Sequence, residues 1–207
     1  IRDVYKRQVQ TGTVRVDGTL GGDLAVQTGA TLRGTGTIDG NTTIDSGATL
    51  VGLDNNTLTM NGNLTLANGS MTNIALGTPT GSALFDVKGD LTLGGTLNVT
   101  EDVGGFGAGV YRIFDYGGTL TDNGMTIGTV PQNSDASGMW IQTDYEHQVN
   151  LVNQNGVEVT FWNAEGDRSQ NNQNSKIVGG SGTWDVSNDN WTEDDKGSQQ
   201  GQLFNGR

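Results

Sequence analysis

The chain repeats two short sequence units at a spacing near 20 residues. GATLRG begins at Gly29 and GATLVG begins 18 positions later, at Gly47. The second unit is a Gly followed by Asp or Asn and then by alternating apolar residues, and it begins at Gly22, Gly40, Gly62 and Gly89. A repeat of this length, made of short strands and turns, is typical of a β-solenoid, in which each repeat forms one coil.

Each unit predicts a short strand. Apolar and polar residues alternate with period two at 14–16, 24–26, 64–66, 91–93 and 97–99. We therefore predict an all-β fold, a single-stranded right-handed parallel β-helix (β-solenoid). About seven coils, about 4.8 Å apart, would then cover residues 9–155 in a rod about 35 Å long. In such a coil Leu32 lies directly below Leu50, while Thr side chains occupy the outer face, where β-branching suits a pleated surface.

The composition agrees with this fold and excludes others. Only 32% of the residues are hydrophobic. The chain has 27 Thr and 20 Asn but only 5 Glu and 4 Lys, which are strong helix formers, so a helical protein is excluded. No apolar run approaches the roughly 18 residues of a membrane-spanning helix. The net charge of −12 disfavours nucleic acid and anionic membranes as partners. The absence of Cys excludes disulfides and thiolate chemistry.

A β-sandwich or β-barrel is the competing architecture. Its strands would be longer, and turns would recur every 8–12 residues. The recurrence of GATL after 18 residues argues against it.

The two ends of the chain differ from the repeats. Residues 1–8 hold three of the eleven basic residues, and 3–8 match the translation of a common transposase sequencing adapter. We interpret 1–8 as an assembly remnant that is not native. Residues 9–155 are assigned to the β-helix. Residues 156–207 turn polar and Asn-rich, with strand signals at 157–161 and 182–186, and are interpreted as the truncated start of a further repeat array. We expect the natural protein to extend in both directions.

Aromatic residues concentrate where the repeat pattern changes, after Gly104. Phe106, Tyr111, Phe114 and Tyr116 lie in one short segment. Such a cluster either stacks on a carbohydrate or fills a wider coil, and the second interpretation is favoured because aromatic rings are first of all large apolar volumes. Strands are expected at 140–143 and 148–152, after a loop at 130–138.

The sequence predicts no catalytic, cofactor-binding or metal-binding residue. His147 is the single His, no GxSxG, HExxH or phosphate-binding loop is present, and we expect His147 at the surface. GGSGTWD (179–185) superficially resembles a calcium-binding nonapeptide, but Trp184 stands where the ligating Asp belongs.

Stacked carboxylates are the one pattern that favours an enzyme. A polysaccharide lyase or hydrolase on a β-helix needs acids from neighbouring coils within about 5–10 Å. Four Asp residues near the predicted turns are the candidates: Asp23, Asp39, Asp45 and Asp90. Asp is also a common turn residue, which explains the same positions without catalysis.

Several segments closely resemble the passenger region of bacterial autotransporters, the self-secreting surface proteins of Gram-negative bacteria. They are FDVKGDLTLGGTLNVTEDVGGFGAGVYRIFDYGGTLTDNGMTIG (85–128), WIQTDYEHQVNLV (140–152) and GATLRGTGTIDG (29–40). FWNAEGD (161–167) and GGSGTWDVSNDNWT (179–192) resemble the passenger-associated strand repeat. The resemblance covers 9–207, and GVYRIFDYGG (109–118) is its most specific portion.

The resemblance implies a passenger β-helix displayed outside the cell and tethered to the outer membrane. Its partner would be a C-terminal translocator β-barrel of the same polypeptide, together with an unknown host or cell-surface ligand. Neither nucleic acid nor membrane insertion by this segment is expected. We predict a non-enzymatic stalk or adhesin-type scaffold. The alternatives are a polysaccharide-degrading solenoid and a carrier for a protease domain encoded upstream.

Overall fold

Between residues 6 and 155, the described strands form three sheets, and every third strand along the chain belongs to the same sheet until the winding ends at β17 (Thr126–Ile127). The computed structural model describes residues 6–79 and 81–155, and beyond them only the backbone of 161–162 and 191–192. Consecutive strands enter sheets A, B and C in turn, and each pairs in parallel with the strand three places along the chain. This is a parallel β-helix, so the predicted architecture is confirmed. Its right-handedness stays a prediction.

Sheets A and B contain six strands each. The strands of sheet A are β1 (Arg7–Val9), β4 (Leu24–Val26), β7 (Thr42–Ile44), β10 (Leu64–Leu66), β13 (Leu91–Leu93) and β16 (Leu120–Asp122). The strands of sheet B are β2 (Gly12–Val16), β5 (Ala30–Gly34), β8 (Thr49–Leu53), β11 (Met71–Leu76), β14 (Thr96–Glu101) and β17 (Thr126–Ile127).

Sheet C ends differently from the other two sheets. Its parallel strands are β3 (Thr19–Leu20), β6 (Thr37–Ile38), β9 (Leu58–Met60), β12 (Phe85–Val87) and β15 (Gly109–Tyr116). After the 3₁₀ turn Ala136–Gly138, strands β18 (Met139–Gln142) and β19 (Gln148–Asn153) form an antiparallel hairpin, and β19 pairs antiparallel with β15. Within 6–79 and 81–155, no helix has the length and apolar character that a membrane crossing requires.

The winding has six levels rather than the expected seven. Coils 1 to 5 comprise β1–β3, β4–β6, β7–β9, β10–β12 and β13–β15, and β16 and β17 begin a sixth. Six levels span about 24 Å at the spacing of paired strands. The expected number was wrong because the residues after 128 leave the winding and form the antiparallel hairpin instead of a complete coil.

The core is a set of inward-facing ladders. Leu32 pairs in register with Leu50, as predicted, and the same sheet B ladder continues with Thr72, Leu97 and Ile127. In sheet A the outward positions between the buried ones carry Thr43, Thr65, Thr92 and Thr121 in register. One position therefore faces the core while the next faces solvent, as the period-two pattern requires.

The number of residues per coil increases along the chain, and the added residues are concentrated at one corner. Equivalent positions at the corner before sheet A lie 18, 22, 27 and 29 residues apart in successive coils. The connections from sheet B to sheet C account for most of this growth, because they contain two residues at 17–18 and 35–36, four at 54–57, eight at 77–84 and seven at 102–108. After the last of them, β15 begins five residues before Phe114, the partner of the first residue of β12. The drift in the sequence repeat is therefore caused by insertions in one row of loops.

The aromatic segment packs into the core of the last coils. Phe85 and Phe114 are fully buried, paired in register and stacked with ring centroids 5.0 Å apart. Gly52 leaves room for this stack, because a Cβ at that position would press against the Phe85 ring. Phe106, Tyr111 and Tyr116 are also buried. The packing interpretation of the cluster is confirmed, because Phe106, Tyr111, Phe114 and Tyr116 are all buried.

The residues after 155 are described only in part. Strand β20 (Phe161–Trp162) pairs antiparallel with β21 (Trp191–Thr192), while the strands expected at 157–160 and 182–186 lie outside the described residues. The proposed boundaries at 8 and 155 stay predictions. The pairing of Arg7 and Gln8 with β4 does not test whether these residues are native, since parallel pairing uses the main chain.

Removal of one whole coil tests the winding directly. Deletion of residues 42–63 joins Asn41 to Leu64, which occupies the register position of Thr42. Because each coil contacts chiefly its neighbours, we expect a folded protein with a cooperative thermal transition and a modestly lower Tm. Deletion of 42–52 removes half a coil and is the matched control; we expect it to abolish the transition seen by circular dichroism. Equal behaviour of the two deletions would contradict the winding.

A buried hydroxyl gives a second prediction. Thr72 is fully buried in the ladder between Leu50 and Leu97, and its Oγ1 has no hydrogen-bond partner among the described residues. Replacement by Val keeps the shape and removes the unpaired polar group, so Thr72→Val should raise the free energy of unfolding by about 1 kcal/mol. Thr92→Val on the outer face should change it by less than about 0.5 kcal/mol. Denaturant midpoints measure both; a destabilised Thr72→Val protein would refute the prediction.

Candidate functional site

A ladder of Asp and Asn side chains runs along the corner that precedes sheet A. The main-chain N–H of Asn41 donates to Asp23 Oδ1 at 2.9 Å, that of Asn63 to Asn41 Oδ1 at 2.9 Å, and that of Asp90 to Asn63 Oδ1 at 2.8 Å. The ladder ends at Thr119, whose N–H and hydroxyl donate to Asp90 Oδ1 at 2.8 and 2.9 Å. Each side chain thus holds the main chain of the next coil.

The glycine before each ladder residue has a steric cause. A Cβ at Gly40 would collide with the main chain of Gly22, and a Cβ at Gly62 would collide with that of Gly40. The coils approach so closely here that no side chain fits between them. The repeated Gly-Asp and Gly-Asn units of the sequence therefore form the close, hydrogen-bonded contact between successive coils at this corner.

The ladder does not assemble the carboxylate pair that an enzyme would need. Asp23 and Asp90 share it, but Asn41 and Asn63 separate them by three coil spacings, about 14 Å. Asp39 accepts a hydrogen bond from Asn61 Nδ2 at 2.9 Å in the next coil. Asp45 follows β7 at a different turn, where its main-chain N–H donates to Val26 O. Asp23, Asp45 and Asp90 are thus not brought together, and Asp39 is bonded to an amide of the next coil.

A different pair of acids is brought together on the outer face of sheet C. Asp86 and Asp115 are register partners on β12 and β15. Lys88 Nζ lies 2.5 Å from Asp86 Oδ2, and Arg112 Nε lies 3.5 Å from Asp115 Oδ1. An open cleft of about 360 Å³ lies here, which we call the charged cleft; it is lined by Asp86, Val87, Lys88, Arg112, Asp115, Tyr116, Gly117, His147 and Gln148.

The two carboxylates of the charged cleft have different surroundings. Burial raises the pKa of Asp115, and the negative charge of Asp86 raises it further, while Arg112 and Lys88 act in the opposite direction. Asp86 forms a short ion pair with Lys88. A carboxyl group with a raised pKa beside an ion-paired neighbour is a feature of both functional sites and structural ion-pair networks.

His147 lies at the edge of the charged cleft, where the hairpin returns to the winding. Its Nδ1 is 3.0 Å from Tyr116 O, and the Tyr116 N–H donates to His147 O at 3.1 Å. Its imidazole is half exposed, and its ring centroid is 5.4 Å from that of Tyr116. The surface position expected for His147 is confirmed, and its contacts fasten β19 to β15.

Sequence reasoning missed the charged cleft, although a signal was present. Phe85-Asp86-Val87 and Phe114-Asp115-Tyr116 repeat one pattern, and these triplets are aligned in register. The repeat is hard to recognise because 29 residues separate the copies and the intervening stretch contains the enlarged loop 102–108. The cleft also needs the antiparallel hairpin, which the parallel repeat pattern does not predict.

No metal centre is found among the residues that the structure describes. Within that part of the chain, no three His, Asp or Glu side chains are grouped so that they could hold an ion. The calcium-like segment 179–185 lies outside it.

The comparison with known proteins gives one informative match. The chain is 40% identical, over 191 residues, to the adhesin BmaC autotransporter of Brucella suis biovar 1 (strain 1330). The match covers 88% of this chain. The chain is homologous to an autotransporter adhesin. The predicted resemblance is thus confirmed, and the stacked parallel sheets fit the β-helix of an autotransporter passenger.

The homology concerns a small part of the relative. The chain spans 5% of the length of that adhesin. No family model and no solved structure matches the chain. The assignment of 161–167 and 179–192 to the passenger-associated strand repeat therefore stays a prediction.

Acid titration tests the last rung of the Asp and Asn ladder. The hydrogen bonds from the Thr119 main chain and hydroxyl lower the pKa of Asp90 below its ordinary value of 3.8. A group with a lowered pKa in the folded state stabilises the protein above its unfolded pKa, and this contribution is lost as the pH falls through the folded pKa. We therefore expect Asp90→Asn, which keeps an acceptor but does not titrate, to lose less stability than wild type between about pH 5 and pH 2.

A second variant separates the two donors. Thr119→Val keeps the main-chain donor and removes the hydroxyl, so its acid sensitivity should lie between those of wild type and Asp90→Asn. The measurement is the denaturant midpoint at each pH. Identical acid profiles for wild type and Asp90→Asn would show that the ladder hydrogen bonds do not shift the titration.

Proposed function

We propose that the chain is a structural segment of a surface-displayed autotransporter passenger, a stalk or adhesin-type scaffold without enzymatic activity. The observation that carries the proposal is the in-register stack of coils within a chain homologous to an autotransporter adhesin. In a parallel stack the main chain is bonded along the axis from coil to coil, so the segment resists bending and holds other parts of a long polypeptide away from a surface.

The expected surroundings follow from the same homology. The segment would be extracellular, tethered to the outer membrane by a C-terminal translocator β-barrel of the same polypeptide. A host or cell-surface ligand would be its second partner. The net charge of −12 disfavours nucleic acid and anionic membranes in that role.

The winding suits a secretion route that has no ATP at the outer membrane. Each coil requires only the preceding coil as a template, so coils add one after another as the chain emerges. Folding outside the cell then opposes backsliding of the chain. The chain also contains no Cys, so no premature disulfide obstructs a narrow pore.

Two observations support the absence of catalysis. Of the Asp residues considered for a polysaccharide-degrading site, Asp23 and Asp90 are separated by Asn41 and Asn63, and Asp45 lies at a different turn. The acids that do stack, Asp86 and Asp115, are each accompanied by a cationic side chain. Such pairing is typical of a surface ion-pair network.

Surface display tests the scaffold function. The 207-residue chain is fused between a signal peptide and an unrelated autotransporter barrel in a laboratory Gram-negative host. We expect protease-resistant protein on intact cells for wild type and for the deletion of 42–63. The deletion of 42–52 should be displayed poorly or be degraded, because its coils cannot stack. Equal display and resistance of both deletions would overturn the role assigned to sequential coil folding.

Incubation of the purified protein with pectin-type and other polysaccharides tests the enzyme alternative. We expect no turnover. Turnover that is lost in Asp115→Asn would contradict the non-enzymatic function.

A further inference from the structure

The charged cleft contains a donor and an acceptor whose hydrogen-bonding capacity is unused. Asp115 Oδ1 is shielded from solvent and accepts no hydrogen bond from the described residues. Arg112 Nε lies 3.5 Å from it, beyond the 2.7–3.2 Å of a good hydrogen bond. The neighbouring pair, Lys88 and Asp86, is closed at 2.5 Å. The unused capacity therefore belongs to Arg112 and Asp115.

The two groups present complementary chemistry side by side. The Arg112 guanidinium carries five N–H donors, and within 6–79 and 81–155 it donates no hydrogen bond. The Asp115 side chain is 37% exposed although its Oδ1 is shielded, so its exposed area belongs to other atoms, including the second oxygen. A hydroxyl group both accepts and donates, so one hydroxyl, or two on adjacent carbons, can accept from Arg112 and donate to the exposed oxygen of Asp115.

The rest of the charged cleft fits a small polyhydroxylated ligand. Its volume of about 360 Å³ is at the lower end for ligand sites, which is enough for one or two sugar rings. Gln148 adds an amide, and the half-exposed His147 adds a ring with both apolar and polar edges. These residue types bind through hydrogen bonds and ring contact rather than through net charge.

The charge of the cleft selects against ionic ligands. Two carboxylates and two cationic side chains offset each other. The acidity of the whole chain repels polyanions such as acidic polysaccharides. A neutral ligand needs no net charge of opposite sign in the cleft and is not repelled by the acidic chain.

We propose that the charged cleft is a binding subsite for a neutral saccharide unit, with Arg112 and Asp115 bonded to its hydroxyl groups. The inference rests on the proposed adhesive scaffold, because it gives that scaffold a class of ligand. It requires no other part of the passenger, since both residues lie on β15 and the remaining wall is formed by β12 and the start of β19.

The single imidazole of the chain makes the test direct. His147 is the only His in the sequence and lines the cleft, so the histidine Hε1 signal in the proton NMR spectrum reports on it alone. The probes are the methyl glycosides of glucose, galactose, mannose and N-acetylglucosamine, with glucuronic acid and N-acetylneuraminic acid as ionic comparisons. We expect at least one neutral glycoside to shift the signal saturably at millimolar concentration.

Variants assign the shift to the two residues. Arg112→Gln and Asp115→Asn should each weaken binding at least about tenfold, because each removes a charged hydrogen-bonding partner. Arg112→Lys keeps the charge but loses the planar fork, and it should weaken binding too, which covers the case that Arg112→Gln does not fold. Arg33→Gln in sheet B and Asp45→Asn after β7 are the matched controls and should bind as wild type does.

Three results would contradict the saccharide subsite. The proposal is wrong if no neutral glycoside shifts the His147 signal up to about 50 mM, well above the millimolar range of weak binding. It is also wrong if only the acidic sugars shift it, or if the Arg112 and Asp115 variants bind like wild type. Surface display of the wild-type chain separates the two proposals: intact display without glycoside binding overturns only the subsite, and glycoside binding without display overturns only the scaffold function.

Discussion

The in-register pairing of main chains between coils is the interaction on which the rest of the molecule depends. Every strand from β4 to β14 lies between two parallel partners, one in the preceding coil and one in the next. This arrangement satisfies backbone groups on both edges of strands that are only two to six residues long. It also forces identical positions into line, so that a residue such as Leu50 meets the same kind of environment as Leu32. A thin core then suffices, which is why a chain with so few apolar residues folds at all.

The polar ladders follow from the same alignment. Stacking places equivalent turn residues about 4.8 Å apart, and a column of aspartates at that distance would repel itself. The ladder avoids this because Asn41 and Asn63 stand between Asp23 and Asp90. Each Asn offers the same acceptor without the charge. At this corner the acidic protein thereby keeps its carboxylates apart along the axis, while every rung still holds the coil above it.

The sequence predicts the periodic part of this structure well and the aperiodic part poorly. The strands around 14–16, 24–26, 64–66, 91–93 and 97–99, the Leu32–Leu50 contact and the packing of the aromatic rings follow from alternation and repeat spacing. The number of levels does not follow from the repeat spacing, because the antiparallel pairing of β19 with β15 depends on a hairpin that does not share the repeat. The Asp86–Asp115 pair was missed for a related reason. Its two members are adjacent only when the loops between sheets B and C are known to absorb the added residues.

The row of loops at the corner between sheets B and C has an evolutionary consequence. Residues 54–57, 77–84 and 102–108 lengthen the chain without disturbing the register of sheets A, B or C. Insertions and deletions along this seam are therefore nearly neutral for folding, whereas the corner before sheet A is sterically closed to them at glycines such as Gly40 and Gly62. Sequence and length variation among related β-helices should therefore accumulate in the loops between sheets B and C, while the corner before sheet A stays constant.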